Sequence, residues 1–118
     1  MLSDFVNTRA GFLEIGYGDM NGLTNTESTL PKTYSLSQNY PNPFNPNTNI
    51  RYDLPQDNFV TIKVYDVLGK EVLTLVNEYK QAGRYLVSFN AANFSSGIYF
   101  YTIQAGEYEY TRRMTMLK

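Results

Sequence analysis

Cysteine, histidine and tryptophan are all missing from this 118-residue chain. Without cysteine there is no disulfide framework and no thiolate metal site. Without histidine the commonest general base and the commonest metal ligand are gone as well. An excess of one charge is also lacking: ten Lys and Arg stand against eleven Asp and Glu, spread along the chain. That balance excludes the basic footprint of a nucleic-acid binder and the polyanionic tail of a charge-driven partner. No apolar run approaches the roughly 20 residues that a helix needs to cross a bilayer. The opening Met1-Leu2-Ser3-Asp4-Phe5 has neither a basic segment nor an apolar core, so it does not read as a signal peptide. If the protein is exported, its signal is expected further upstream, in a longer protein of which this chain is a piece.

What is present points to strands. Eleven tyrosines and seven phenylalanines form a strand-favouring composition. Stretches with apolar residues at helical spacing do not occur. A chain of this length has room for one domain able to bury a workable core without staples.

The chain divides into three. Residues 1–20 hold Phe5, Val6, Phe12, Leu13 and Ile15, then Gly16-Tyr17-Gly18. They read either as a remnant of an upstream domain or as a disordered tail, since they cannot form a core alone. Residues 21–33 are rich in Asn, Ser, Thr and Gly, so little burial offsets the entropy of ordering them. They read as a linker. From residue 34 to 118 the texture is that of a folded domain.

That domain opens on Tyr40-Pro41-Asn42-Pro43-Phe44-Asn45-Pro46. Three closely spaced prolines rule out an interior strand, because each fixes φ and removes a donor. The segment, pinned by Phe44, reads either as a stiff strand entry whose prolines blunt an exposed edge or as a recognition element. Period-two alternation follows. Ile50, Tyr52 and Leu54 share one face, then Val60, Ile62 and Val64. Asp66-Val67-Leu68-Gly69 reads as a short hairpin loop with Gly69 left-handed, returning through Glu71 to Val76. Gly83 opens the next strand, with Tyr85, Val87 and Phe89 on one face, and a turn ends at Gly97. Residues 98–103 are apolar on both faces, as for a central strand covered on both sides. Gly106 marks the last hairpin, and the closing strand carries Tyr110, Met114 and Met116 on one face. Short strands recurring roughly every ten residues predict seven antiparallel strands in a two-sheet β-sandwich.

Candidate chemistry is sparse. Asp53, Asp57 and Asp66 lack the compact spacing of a calcium loop and read as turn and face residues. Glu107 and Glu109 straddle Tyr108 on one strand face, but no cleft-forming insertion accompanies them. No nucleophile-and-base pair is visible, so no enzymatic activity, cofactor or small-molecule substrate is expected. Exposed tyrosines leave a carbohydrate-binding or adhesive cell-surface sandwich as the alternative, since a fold by itself does not select a function.

Several separated blocks resemble one known family. Leu36-Ser37-Gln38-Asn39-Tyr40-Pro41-Asn42-Pro43-Phe44-Asn45-Pro46 and Thr48-Asn49-Ile50-Arg51-Tyr52 are similar to the opening of the type A C-terminal sorting domains of type IX secretion cargo. Val64-Tyr65-Asp66-Val67-Leu68-Gly69-Lys70-Glu71-Val72 resembles the family's central hairpin, and Ser96-Gly97-Ile98-Tyr99-Phe100-Tyr101 its penultimate strand. Arg112-Arg113-Met114-Thr115-Met116-Leu117-Lys118 is similar to its basic-then-apolar ending, with arginines where the family often has lysines. The resemblance implies an immunoglobulin-like sandwich and a non-catalytic export signal. It implies as partners an upstream cargo domain, the outer-membrane translocon and a sortase-like surface protease. The carrier is then expected at the cell surface or secreted, by way of the periplasm and outer membrane. Cleavage is expected in the linker from Gly22 to Thr33. Recognition is expected at the last strand, through Arg112, Arg113, Met114, Met116, Leu117 and Lys118, by strand addition at a terminal edge. A sorting signal belongs at the extreme C-terminus, and the sequence given stops directly after this motif.

Overall fold

The computed structural model describes residues 30–118. The expected remnant at 1–20 and most of the linker lie outside the described residues. At its inner end, Pro31 is buried. The expected sandwich is found: seven strands and, among the described residues, no helix. They are β1 (Ser35–Leu36), β2 (Asn47–Leu54), β3 (Asn58–Tyr65), β4 (Glu71–Lys80), β5 (Gly83–Asn90), β6 (Gly97–Ala105) and β7 (Tyr108–Met116). One sheet has the order β1-β2-β5 and the other β4-β3-β6-β7, and every pairing of named strands is antiparallel.

Alternation in sequence becomes the two faces of each sheet. From β2, Thr48, Ile50, Tyr52 and Leu54 point inward, and from β3, Val60, Ile62 and Val64. From β6 come Tyr99, Tyr101, Ile103 and Ala105, and from β7, Met114 and Met116. With Phe44 and Phe89 these side chains form one continuous core between the sheets. Burial of each large one contributes about 1.5–3 kcal/mol.

Four local expectations change. β4 runs on to Lys80, because Asn77 to Lys80 pair with Asn58 to Thr61. β6 is central within its sheet but covered on one side only: Ile98 is partly exposed and Phe100 half-buried, since a two-layer sandwich has no third layer. Tyr110 shares the face of Met114 and Met116 by parity, yet is exposed, because the opposing sheet offers only the two residues of β1 on that flank. Glu107 lies in the turn before β7, so it does not share a strand face with Glu109.

The turns follow their residues. Asp66 Oδ1 accepts from the backbone N–H groups of Leu68 and Lys70, while Gly69, at φ +85°, donates to the Asp66 carbonyl. This is the expected hairpin loop. Asp57, in the β2–β3 turn, accepts from the Ala82 N–H in the β4–β5 turn. Gly83 and Gly97 are the first residues of β5 and β6. Gly106 takes φ +62° in the β6–β7 hairpin, where an added Cβ would stand 2.5 Å from Asn58 Nδ2.

Candidate recognition surface around the last strand

Among the described residues, strand β7 ends one sheet, and one side of its backbone has no neighbouring strand there. The proline segment occupies part of that side. Phe44 N–H donates to the Thr115 carbonyl and Leu117 N–H donates to the Phe44 carbonyl, both at 3.0 Å. Thr115 N–H donates to Asn42 Oδ1, and Gln38 Nε2 to the Arg113 carbonyl at 2.7 Å. Two blocks some seventy residues apart, the proline opening and the basic-apolar ending, therefore form one surface. The edge is blunted by being covered as well as by lacking donors.

A buried polar cluster holds the start of that segment. Asn39 Nδ2 donates to the Pro41 carbonyl and to Thr48 Oγ1, and Thr48 Oγ1 donates to the Pro41 carbonyl. Gln38 Nε2 donates to Asn39 Oδ1, so the buried amide is satisfied on both sides. Further on, Phe44 is 2 % exposed and its ring meets Phe89 at 5.9 Å. Pro41, Asn42, Pro43 and Asn45 are exposed, and Tyr40 is 80 % exposed. Pro46 is half-buried, and its carbonyl accepts from the Ala91 N–H. Tyr40 borders a shallow depression of about 260 Å³ lined by Ser37, Gln38, Asn49, Arg51 and Leu86.

The expected recognition residues divide by strand parity. Met114 and Met116 are fully buried in the core. Arg112 shares their face, half-buried, and its Nε donates to the Leu36 carbonyl at 2.7 Å, tying β7 to β1 across the sandwich. Its guanidinium lies 5.0 Å from the centre of the Tyr110 ring. Arg113, Leu117 and Lys118 are exposed. Lys118 Nζ donates to the Ala92 carbonyl at 3.2 Å. The solvent-facing part of the motif is thus two cations and one leucine.

Next to Arg112, Tyr101 donates its hydroxyl to the Ser37 carbonyl at 2.6 Å. Burial pushes this phenol up to about 12, with the Asn39 backbone amide and the Arg112 charge pulling it part of the way back. Tyr108 is also raised, by burial and by neighbouring Tyr110, against the pull of Arg112. Neither tyrosine is ionised at neutral pH, so both act as hydrogen-bonding and packing groups. Among the described residues no group of three or more carboxylates is placed to hold a metal ion.

Sequence reasoning passed over Thr48 and the inward turn of Arg112. Both were signalled by parity: Thr48 is in step with Ile50 and Tyr52, and Arg112 with Met114 and Met116. No curated protein matches the chain. A family model described as the secretion system C-terminal sorting domain matches residues 38–116, from just before the buried Asn39 to the last residue of β7. The match takes in both converging blocks except Leu36, Ser37, Leu117 and Lys118, and the chain belongs to the family of type IX secretion C-terminal sorting domains.

Proposed function

We propose that this sandwich directs the polypeptide joined to its N-terminal side across the outer membrane through the type IX machinery. The surface read by the translocon is the solvent side of the β7 end, with Arg113, Leu117 and Lys118 supplying its side-chain contacts. The observation that carries this reading is the family match, which takes in the proline segment and β7 as far as Met116. The segment Tyr40 to Phe44 forms the other half of the same surface. Arg112, Met114 and Met116 are assigned the supporting role of holding β7 in place. Cleavage is assigned to the linker between Gly22 and Thr33, which leaves the sandwich intact behind it.

The test fuses residues 22–118 to a periplasmic reporter in a type IX-competent host. Surface display is expected, with mass spectrometry of the mature reporter showing a cut before residue 34. Deleting residues 114–118 would remove two core methionines, so loss of export would not separate recognition from unfolding. The triple substitution Arg113→Ala, Leu117→Ala, Lys118→Ala changes only exposed side chains. It is expected to hold the reporter in the periplasm while the melting curve stays close to that of the parent. Normal display of the triple variant would remove the assignment to the β7 end.

A carbohydrate-binding role is the second reading, favoured by the exposed Tyr40 beside the Gln38, Asn49 and Arg51 depression. Shifts of the Tyr40 ring signals on titration with surface polysaccharide would support it, and unchanged signals would remove it.

A further inference from the structure

Residues 21–33 hold a single Lys or Arg, Lys32, and its side chain is exposed. Judged by that side chain, the Lys32–Thr33 bond is open to a protease. The chain on either side of it is not. Pro31 is buried, and Tyr34 is packed against the core. The Tyr34 ring stacks on Tyr108 at 5.0 Å and 12°. Its hydroxyl accepts from Gln56 Nε2 at 3.2 Å and from Asn58 Nδ2 at 3.1 Å. Tyr34 therefore touches the β2–β3 turn, the first residue of β3 and the first residue of β7 at once. Asn58 lies where a Cβ on residue 106 would stand, so glycine there leaves its amide room to reach the Tyr34 hydroxyl.

The next residues tighten the hold. Ser35 and Leu36 pair with Asp53 and Tyr52, and Leu36 is 2 % exposed. Arg112 Nε donates to the Leu36 carbonyl and the Tyr101 hydroxyl to the Ser37 carbonyl, so by Ser37 the entering chain is bonded to both sheets. A protease draws the residues around the bond it cuts into its own cleft. A bond in folded chain is therefore cut in proportion to how often that stretch opens.

We propose that Tyr34 is a clasp that closes the end of the linker to the surface protease from Pro31 onward, so that the bond cut lies on the N-terminal side of Pro31. The proposal rests on reading the chain as a sorting domain processed at the surface, and it narrows the cut assigned between Gly22 and Thr33. Lys32 and Thr33 then leave with the sandwich. Tyr34 is a positioning residue: it decides which bond is offered and takes no part in cutting it. Its partners Asn58 and Tyr108 stand far from it in the chain, so this boundary exists only once the sandwich has folded.

Trypsin probes the clasp directly, because it hydrolyses the bond after Lys32: the C–N bond breaks, and water gives its hydroxyl to the Lys32 carbonyl carbon and its proton to the Thr33 nitrogen. In the whole chain this cut is expected to be at least about tenfold slower than in a synthetic peptide of residues 27–38. Tyr34→Ala is expected to speed it at least about tenfold, and Tyr34→Phe, which keeps the stack, about threefold. Cleavage after Lys63, inside β3, is expected to stay at the parental rate in both variants. If Tyr34→Ala fails to fold by circular dichroism, Tyr34→Phe decides. In a type IX-competent host, the whole chain fused to a periplasmic reporter is expected to release a domain that begins at Pro31 or earlier by mass spectrometry. Three results each overturn the proposal and leave the sorting reading intact: a parent chain cut after Lys32 as fast as the peptide, folded Tyr34 variants cut there at the parental rate, or a released domain beginning at Lys32 or later. Equal acceleration after Lys63 in a folded variant, or display of the fusion with no cleavage, does the same. Failure of the unsubstituted fusion to reach the surface removes the sorting reading and the proposal with it.

Discussion

Replacing Phe44 by alanine tests the junction between the proline segment and the last strand. The ring is 2 % exposed, packs on Phe89, and is the one large apolar anchor among the exposed prolines and asparagines around it. Truncating a buried phenylalanine costs about 3–5 kcal/mol, as lost transfer energy plus the cavity left behind. In a domain of this size each kcal/mol lowers the melting temperature by about 4–8 °C, so even the lower figure gives a drop of about 12–24 °C. The local consequence is more specific. The two main-chain bonds from Phe44 to Thr115 and Leu117 are held in place by that ring. Native-state hydrogen exchange, read residue by residue, is therefore expected to show the amides of Leu117 and of residue 44 losing protection well before those of Ile62 and Ile103. A conservative core change elsewhere, Ile62→Val, should cost about 0.5–1.5 kcal/mol and leave that order as in the parent. A melting drop below about 4 °C, or a Leu117 amide exchanging at the parental rate in Phe44→Ala, would refute the coupling of the two blocks.

Arg112→Met keeps an unbranched apolar stem and removes the donor to the Leu36 carbonyl. With the group half-buried, urea titration is expected to show a loss of about 1–2 kcal/mol. Gly106→Ala should destabilise more than Gly69→Ala. Both positions have positive φ, but the added methyl meets Asn58 at Gly106 and open space at Gly69. Thermal melts are expected to rank them so, with Gly69→Ala near 1 kcal/mol. Stability should also fall at high pH. Tyr101 in the folded state is raised to about 12 from the usual 10. The unfolded chain therefore releases its proton first, and stability present in full below pH 10 is lost as pH rises from 10 to 12. Tyr101→Phe is expected to flatten that part of the urea midpoint-versus-pH curve, and an unchanged slope would count against it.

The sequence by itself determined the class of fold, because a period of two with turn residues between runs has few other solutions. It placed Ile50, Tyr52, Leu54, Val60, Ile62 and Val64 inside and Phe44 as an anchor, and all are buried. It also located the left-handed hairpin at Asp66 to Gly69, since that turn's demands are local. Family membership was legible in the ordered blocks from Leu36 to Lys118, and the matching model covers residues 38–116. Tertiary structure decided what depends on partners distant in the chain. That the proline segment lies along β7 is a contact between Phe44 and Met116 that no local pattern contains. The same packing turned Arg112 inward to β1 and left Arg113 in solvent, dividing a motif that reads as continuous. It also decided which strands became edges. Alternation states which face of a strand is buried, whereas strand order states which side is unpaired, and strand order is set only when the two sheets close on one another.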